Sequence, residues 1–586
     1  MMSRLVSTRF GMGLIMILIL TLSLAACSSD GDGDDDGGVA APAPTSAPAA
    51  APTSAPSAAP TSAPVAASTA APVGVTPKVD RLVIAMPPPA AEGNQPNVDL
   101  GPLTIFQLRP MQEWLVGYGT DGEFEPMLAE SWSVEPDGFS LRFQLRENVP
   151  FHNDAGEFTA QDVVHSFEQI TREDSIHPHA RIHRRGTLEV VGDHEVVFRL
   201  PRGNAEYTNQ LSRQSGSMAI TSKVDFDLLG GEIDLGKRPV ASTGPYQYES
   251  RDLGQAITYE RISWEHYNGT PDFPEIQMRW LPETSTRLAS LLTGEIHVTV
   301  LPEDQAVQAV AEGHTRIRGP ITQQRTWMAM YGVYTDGDAP SGYVHPEIAL
   351  HDVRVRKALN KAIDRTALND AFFGGKAELM IIDKMPTSKP YFNPEWTRNF
   401  ESEYGYDAAA ARTLLAEAGF NSNNPLEMTM RMINLSDYGG SEDVQDAVAG
   451  FWSDIGVKVD QVVIEATRFR NVNREFGWTD LVTINASSNF DIQAWRVYNS
   501  HGVPRGSLEQ TELNALHDVL TVTMDEPTQN GLLRQLGDTA FPLHTQVPLF
   551  WLPAEMIVNP EIVASWPYPG SISRVFSHFE TIKAAR

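Results

Sequence analysis

A low-complexity tract near the N-terminus limits where this chain can fold. Residues 39–73 contain only Ala, Pro, Thr, Ser and Val, and a unit close to Ala-Pro-Thr-Ser-Ala-Pro-x-Ala recurs between Ala43 and Ala66. Such a composition buries too little apolar surface to offset the entropy lost when a chain is ordered. Prolines at short intervals also favour an extended backbone. We therefore predict that residues 27–77 are disordered and that the folded part begins at about residue 78.

The residues before this tract have the pattern of an export signal. Arg4 and Arg9 precede an uncharged, mostly apolar stretch at 11–24, which is shorter than the ~20 residues that cross a bilayer. The stretch leads into Leu-Ala-Ala-Cys, which resembles the bacterial lipobox and has Cys27 as its cysteine. The pattern predicts a lipoprotein signal peptide over residues 1–26 and a membrane anchor on the lipidated Cys27. The alternative is an ordinary cleavage site beside an incidental thiol.

Charge, cysteine content and length narrow the class of protein. The formal net charge of −29 at pH 7 opposes binding to nucleic acid and broad attraction to anionic lipid. Cys27 is the single cysteine of the sequence, so we expect no internal disulfide and a fold that depends on its apolar core. Residues 78–586 exceed the size at which one core stops growing, about 250–300 residues, which predicts at least two lobes.

Strand and helix patterns alternate along these residues. The apolar run 81–85 predicts a buried strand, and apolar and polar residues alternate over 141–145 after a Glu-Pro-Asp-Gly turn signal, which predicts a hairpin. From Asp352, apolar residues recur at steps of four, which predicts one helix that runs to the glycines at 374–375. Further helix patterns at 407–418 and 444–455 precede strand-like segments. Repeated alternation of this kind predicts α/β lobes, here two lobes with an extra subdomain near the start.

Several short motifs resemble nucleotide-binding or metal-binding patterns, but the residues around them argue against those sites. Residues 117–122 match Gly-x-Gly-x-x-Gly but precede a Glu-Pro turn rather than a helix, so we predict a turn. Residues 231–237 match Gly-x-x-x-x-Gly-Lys, yet two acids inside the loop would repel phosphate. His177, His179 and His183 lie close together, but nearby arginines oppose a cation, and we predict loop histidines without a metal. Neither Gly-x-Ser-x-Gly nor His-Glu-x-x-His occurs in the sequence, and we predict a protein without catalytic residues or cofactors.

One set of sequence blocks is highly specific. Three of them fall within residues 124–167 and read Phe-Glu-Pro-Met-Leu-Ala-Glu-Ser-Trp, Leu-Arg-Glu-Asn-Val-Pro-Phe-His and Thr-Ala-Gln-Asp-Val-Val-His-Ser-Phe. Later blocks include Ser-Thr-Gly-Pro-Tyr at 242–246 and Val-Arg-Val-Arg-Lys-Ala-Leu-Asn-Lys-Ala-Ile-Asp-Arg at 353–365. The blocks resemble those of the family 5 extracellular solute-binding proteins, the peptide and nickel class. The resemblance extends from Arg81 to the C-terminus.

This resemblance implies a periplasmic-binding-protein-like fold, in which two lobes joined by two chain crossings enclose a ligand. It implies crossings near 327–334 and 548–553. We expect residues 78–326 and 545–586 to form lobe I, with the extra subdomain at about 103–217, and 327–544 to form lobe II. The implied role is the extracytoplasmic, lipid-anchored component of an ABC importer, a monomer that passes a small molecule or oligopeptide to a membrane permease. Alternatives are a sensing subunit for a transmembrane signalling partner and a surface hydrolase.

The candidate ligand contacts are aromatic and polar residues near the implied crossings. Aromatic side chains supply apolar contact area and polar neighbours fix orientation. Peptide-binding members place an acid near position 487 that pairs with the peptide ammonium, and here that position is Ser487, although Asp491 would substitute in a shifted loop. A buried ammonium without a carboxylate is disfavoured, so sugars, modified amino acids and other small polar solutes stay open beside peptides. The candidates are Trp327, Tyr331, Asn485, Ser487, Asp491 and Trp551.

Overall fold

The structure is a computed structural model of the chain. It describes residues 76–100, 104–333, 343–432, 441–464, 481–488, 511–569 and 576–586, together with residues 468, 472, 477 and 479. The predicted signal peptide, Cys27 and nearly all of the predicted disordered segment lie outside the described residues.

The described strands are short except for two. They are β1 (Arg81–Met86), β2 (Val116–Tyr118), β3 (Phe124–Pro126), β4 (Ala129–Val134), β5 (Leu141–Leu145), β6 (Thr187–Gly192), β7 (Glu195–Arg199), β8 (Tyr246–Asp252), β9 (Ala256–Arg261), β10 (Glu275–Trp280), β11 (Val298–Thr299), β12 (Thr315–Tyr331), β13 (Glu378–Leu379), β14 (Glu427–Met432), β15 (Lys458–Val463), β16 (Leu481–Ser488), β17 (Val547–Val558), β18 (Val563–Ser565) and β19 (Lys583–Ala584). The two long strands, β12 and β17, pair with each other.

Helices alternate with these strands. They are α1 (Ala160–Thr171), α2 (Ala180–His183), α3 (Tyr207–Gln210), α4 (Lys223–Leu228), α5 (Thr284–Leu292), α6 (Glu303–Ala311), α7 (Val353–Lys361), α8 (Arg365–Phe373), α9 (Pro394–Tyr404), α10 (Ala408–Glu417) and α11 (Ser441–Asp454), followed by the helices Thr511–Val522 and Glu526–Ala540.

One large sheet runs through the described part of the chain, in the order β15-β14-β16-β12-β17-β11-β1-β10-β9-β8, with β13 paired to β17. Strand β12 is antiparallel to β17 and, toward its C-terminal end, also to β16. The long pair β12–β17 therefore stands at the centre of the sheet and connects its two halves.

The two halves have separate apolar cores. The first core includes Leu82 of β1 and Met278 of β10, and the second includes Leu359 of α7 and Met430 of β14. Strand β17 contributes to both cores, and β12 packs Ile317 against the first and Met328 into the second. The predicted fold class, an α/β protein with two lobes, is confirmed.

A third core belongs to a smaller four-stranded sheet, β4-β5-β7-β6, which packs against α1. The predicted hairpin forms its first two strands. Asp137 Oδ1 accepts hydrogen bonds from the backbone N–H of Phe139 and Ser140, and Gly138 takes a positive φ of 82°. Leu141, Phe143 and Leu145 are buried along β5. The turn chemistry and the alternation together therefore determine this element.

The prediction of a single helix from Asp352 to the glycines at 374–375 is wrong. Asp352 caps α7 as expected, but α7 ends at Lys361 and a second helix, α8, begins at Arg365. Asp364 causes the break, since its carboxylate accepts from the backbone N–H of Ala367 and so caps α8. The apolar residues keep their spacing across the break because both helices contribute to the second core.

Candidate functional site

An aromatic cluster lies where β12 and β17 pair between the two cores. Trp327 and Tyr331 of β12 and Trp551 of β17 are buried and pack together with Met380. Trp327 and Tyr331 are four residues apart on one strand, so they lie on the same face of the sheet. The structure thus brings together three of the residues that the sequence predicts as ligand contacts.

The predicted polar residues adjoin this cluster in the sheet register. In the antiparallel pairing of β12 with β16, Asn485 is opposite Trp327 and Ser487 is opposite Arg325. These are register positions on the strand next to the aromatic cluster. Asp491, the remaining predicted contact, lies outside the described residues.

Sequence reasoning missed a buried group of charges beside the aromatic rings. Arg325 Nη1 donates to Asp383 Oδ1 at 2.6 Å, and Lys384 Nζ lies 2.8 Å from Asp383 Oδ2. At most 7% of any of these three side chains is exposed. The Arg325 guanidinium also lies over the Trp327 ring, 3.8 Å from its centroid, within the range of a cation–π contact. We call Arg325, Asp383 and Lys384 the charged cluster.

Burial and charge act against each other on the titratable groups of this cluster. Burial lowers the pKa of Lys384 to about 8, although the neighbouring Asp383 raises it. Burial also opposes ionisation of Asp383, but Lys384 and Arg325 together bring the pKa of its carboxyl below its ordinary value. Asp383 is therefore ionised at neutral pH and serves both cations.

A small pocket of about 10 Å³ is lined by Ile382, Asp383, Tyr404, Ala540, Thr545, Gln546 and Pro548. Ligand pockets usually hold about 300–1,000 Å³. This pocket is smaller than that range, and we do not assign the site to it.

The other sequence motifs have structural roles. Residues 117–122 include the end of β2 and the predicted turn that leads to β3, in which Gly119 N donates to Glu123 O. In the 231–237 loop, the Lys237 ammonium donates to the carbonyls of Leu229 and Glu232, so it is turned toward the loop's own backbone.

Of the three neighbouring histidines, His177 and His183 are buried and His179 is partly exposed. His183 lies on the short helix α2, not on a loop as predicted, and its ring hydrogen-bonds to Tyr207 and Ser217. Burial lowers its pKa to about 3. Across the described residues, no group of three His, Cys, Asp or Glu side chains is arranged to hold a metal ion. None of the described helices is long and apolar enough to cross a membrane.

Two α/β halves, joined by a pair of long strands that carry an aromatic and charged cluster, define a two-lobed binding protein. The chain belongs to the bacterial extracellular solute-binding proteins, family 5, because the model described as the middle part of that family matches residues 123–512. The family resemblance found in the sequence is thereby confirmed over those residues.

Curated relatives agree with this assignment. The chain is 27% identical to heme-binding protein A of Haemophilus influenzae over 387 residues, and this matched region is 61% of this chain and 66% of that protein. It is 24% identical to the dipeptide-binding protein of Escherichia coli over 370 residues, and this matched region is 58% of this chain and 64% of that protein. The matched region thus spans about half to two thirds of the curated relatives.

Solved structures give the fold independently. The substrate-binding protein CtaP of Listeria monocytogenes matches with a TM-score of 0.69 at 19% identity, over 86% of this chain and 99% of that one. NikA of Brucella suis, solved with Fe(III)-EDTA, matches with a TM-score of 0.68 at 20% identity, again over 86% and 99%. These likenesses confirm the periplasmic-binding-protein-like fold predicted from the sequence.

Proposed function

We propose that this protein is the substrate-binding component of an ABC importer, which captures a peptide-like or other small polar solute and delivers it to a membrane permease. Family membership supports the class. The observation that carries the proposal is the position of Trp327, Tyr331 and Trp551 on the two strands that run from one core to the other. A solute bound there contacts the strands whose bending would move one lobe against the other.

In this proposal the lobes have the limits expected from the sequence, with 78–326 and 545–586 in lobe I and 327–544 in lobe II. A solute that contacts both lobes has a higher affinity for the closed form than for the open form and so shifts the population toward closure. The closed form then docks on the permease, and a separate ATPase supplies the energy. The binding protein itself acts without cofactor or catalysis, as a monomer.

The proposed location follows from the N-terminal sequence. Residues 1–26 direct export, Cys27 carries the lipid, and residues 27–77 form a flexible connection to the folded part. The protein would then be held at the outer face of the cell membrane, where it meets solutes before the permease does.

The relatives do not select one ligand. Their names describe proteins that bind heme, dipeptides and glutathione. We propose that Trp327, Tyr331 and Trp551, with Asn485, Ser487 and Asp491, contact the solute. Aromatic rings provide most of the contact area in such sites, and a few polar groups fix orientation.

Native mass spectrometry of the full-length protein, extracted in detergent, tests the proposal. We expect one small molecule per chain after purification from cells, released with an unchanged mass. Loss of that molecule should lower thermal stability, because a ligand at a hundredfold excess over its dissociation constant adds about 2.7 kcal/mol.

Matched variants locate the captured molecule. Trp327→Ala should abolish its capture, whereas Tyr406→Ala, which removes an exposed ring packed on Phe451, should retain it. A solute that leaves with an altered mass would favour the hydrolase. A protein that captures no solute from cells or from complex medium would refute the proposed function.

A further inference from the structure

Arg109 is a buried cation with a single hydrogen bond to the described part of the chain. Only 2% of its surface is exposed, and its Nη1 donates to the backbone carbonyl of Arg213 at 2.9 Å. Its Nε and Nη2 are buried and have no hydrogen-bond partner among the described residues. Burial and repulsion by the Arg213 guanidinium lower the pKa of Arg109 to about 9, so it is charged at neutral pH. A buried charge without a counter-charge is costly.

Other buried arginines are hydrogen-bonded more fully. Arg213 donates to both oxygens of the Glu580 carboxylate. Arg356 donates to three backbone carbonyls, and Arg365 donates to three backbone carbonyls and one side-chain carbonyl. In these three arginines no guanidinium nitrogen is buried without a partner. Arg109 differs from them because the described chain supplies too few acceptors for it.

A second unused donor lies beside Arg109. The Arg109 guanidinium is 5.3 Å from the centroid of the Trp114 ring, and Trp114 Nε1 is also buried without a partner among the described residues. Guanidinium and indole N–H groups donate and cannot accept. A group that satisfies them must therefore be an acceptor. A water molecule would accept these hydrogen bonds but leave the charge of Arg109 uncompensated, whereas an anion does both.

The surroundings of the two donors limit the size of that anion. Trp114 is fully buried in the first core, and the next residue, Leu115, is fully buried in the third core. Arg109 follows Leu108 and precedes Met111, which are both buried in the first core. Protein cores are close-packed, so a polyatomic solute would have to displace core side chains. A halide ion is little larger than a water molecule and needs no such displacement.

We propose that Arg109 and Trp114 bind a chloride ion inside the folded protein, with Arg109 Nε and Nη2 and the Trp114 indole N–H as its donors. The ion compensates the guanidinium charge at the junction of the first and third cores. Because the unfolded chain lacks this arrangement of donors, chloride stabilises the folded state. The site shares no residue with the proposed solute contacts, and the inference does not depend on the proposed function.

Thermal unfolding of the full-length protein in detergent tests the inference. Sodium chloride replaces sodium gluconate at constant ionic strength, so that electrostatic screening stays the same. We expect the Tm to rise by about 2 °C for each tenfold increase of chloride above its dissociation constant. Bromide should replace chloride in crystals of the same protein, and its anomalous scattering should give a peak beside Arg109 and Trp114.

Variants of two buried arginines provide the matched comparison. Arg109→Met removes the charge, and its Tm should not respond to chloride. Arg365→Met removes another buried guanidinium, so it should unfold at a lower temperature but retain the full chloride response. If Arg109→Met does not fold, Trp114→Phe keeps an aromatic ring without the N–H and should need about tenfold more chloride for the same rise in Tm.

Four results would overturn the chloride inference. They are an equal Tm in chloride and gluconate, an ordered water in place of bromide, a chloride response that persists in folded Arg109→Met, and a bromide peak without any effect of chloride on Tm. The last would indicate an adventitious ion only. None of these results would count against solute capture, which native mass spectrometry measures separately.

Discussion

The Arg213 guanidinium donates two hydrogen bonds to the Glu580 carboxylate, at 2.7 and 2.9 Å, across 367 residues of sequence. Both side chains are buried, with 6% and 8% of their surface exposed. The pair ties the C-terminal segment to the residues that precede α4. Because both charges are buried, removal of either one would leave the other without a partner and destabilise the fold.

Replacing Glu580 by Gln should destabilise the protein in a manner that depends on pH. The Arg213 charge lowers the pKa of Glu580 from 4.5 to about 2 despite burial. The carboxylate therefore stabilises the fold fully above pH 4.5, and this contribution is lost as the pH falls toward 2. The difference is about 3 kcal/mol. Urea titrations at several pH values should show wild type and Glu580→Gln far apart at pH 7 and converging near pH 2.

An exposed pair serves as the control for that experiment. Lys458 and Glu427 are 3.1 Å apart on neighbouring strands, and more than 60% of each side chain is exposed. Exposed pairs contribute about 0–1 kcal/mol. Glu427→Gln should therefore remain close to wild type at every pH. A constant gap between wild type and Glu580→Gln from pH 7 to pH 2 would show that the charge of Glu580 is not what stabilises the fold.

Gly244 should tolerate no side chain. A Cβ at this position would lie 2.6 Å from the Met111 carbonyl carbon and 2.7 Å from its oxygen, and Gly244 N donates to that same oxygen. Gly244→Ala forces the two backbone segments apart, at a cost of about 1–3 kcal/mol. Gly450→Ala, on α11 with open space around it, should instead stabilise the helix by about 0.5–1 kcal/mol. Opposite shifts of the urea midpoint would confirm both, and equal shifts would contradict the steric argument.

Cys27→Ser should release the protein from the membrane. If Cys27 carries a lipid, wild type labels with an alkyne analogue of a fatty acid and partitions into detergent, because each buried methylene contributes about 0.8 kcal/mol to membrane binding. The variant lacks the acceptor thiol and should appear unlabelled in the soluble fraction. Labelling of Cys27→Ser at the wild-type level would show that Cys27 does not carry the lipid.

Local signals in the sequence determine much of the fold. The hairpin of β4 and β5 and the caps of α1 and α7 depend on residues a few positions apart, so turn and capping patterns predict them. The full length of β12 was not predictable in this way. Gly319 and Pro320 lie within it, and both residues normally interrupt a strand. The irregular register between Arg318 and Thr322 absorbs them.

The same distinction between local sequence signals and long-range contacts applies to the candidate site. That Trp327, Tyr331 and Trp551 lie near one another was predictable, because the family resemblance implies chain crossings at the strands that carry them. The pairing of Arg325 with Asp383 spans 58 residues and depends on how the segment after β13 folds back over β12. The periodicity of apolar residues in the sequence cannot predict such a contact. The one available signal was the charged pair Asp383-Lys384 inside an otherwise apolar stretch, Met-Ile-Ile-Asp-Lys-Met, since charged residues in such a setting are seldom buried without partners.

Lys389→Ala should weaken ligand binding slightly by favouring the open form. Lys389 Nζ lies 2.9 Å from Glu123 Oε1, and this ion pair connects the β2–β3 hairpin to the segment after the charged cluster. A backbone hydrogen bond from Ala205 N to Thr521 O, 2.9 Å, also joins a residue of the expected lobe I to one of the expected lobe II. If the lobes separate when the solute leaves, both contacts break. They then belong to the closed form alone.

An exposed ion pair contributes about 0.2–1 kcal/mol, so the affinity of Lys389→Ala should fall by at most about fivefold. The loss should appear as faster dissociation, because the pair forms after the solute is bound. It should also shrink as salt is added, since the pair is exposed. Stopped-flow measurement of tryptophan fluorescence gives both rates, and Lys458→Ala is the matched control because its ion pair joins adjacent strands of one lobe. Equal dissociation rates for the two variants would mean that the Lys389–Glu123 pair does not distinguish the closed form from the open one.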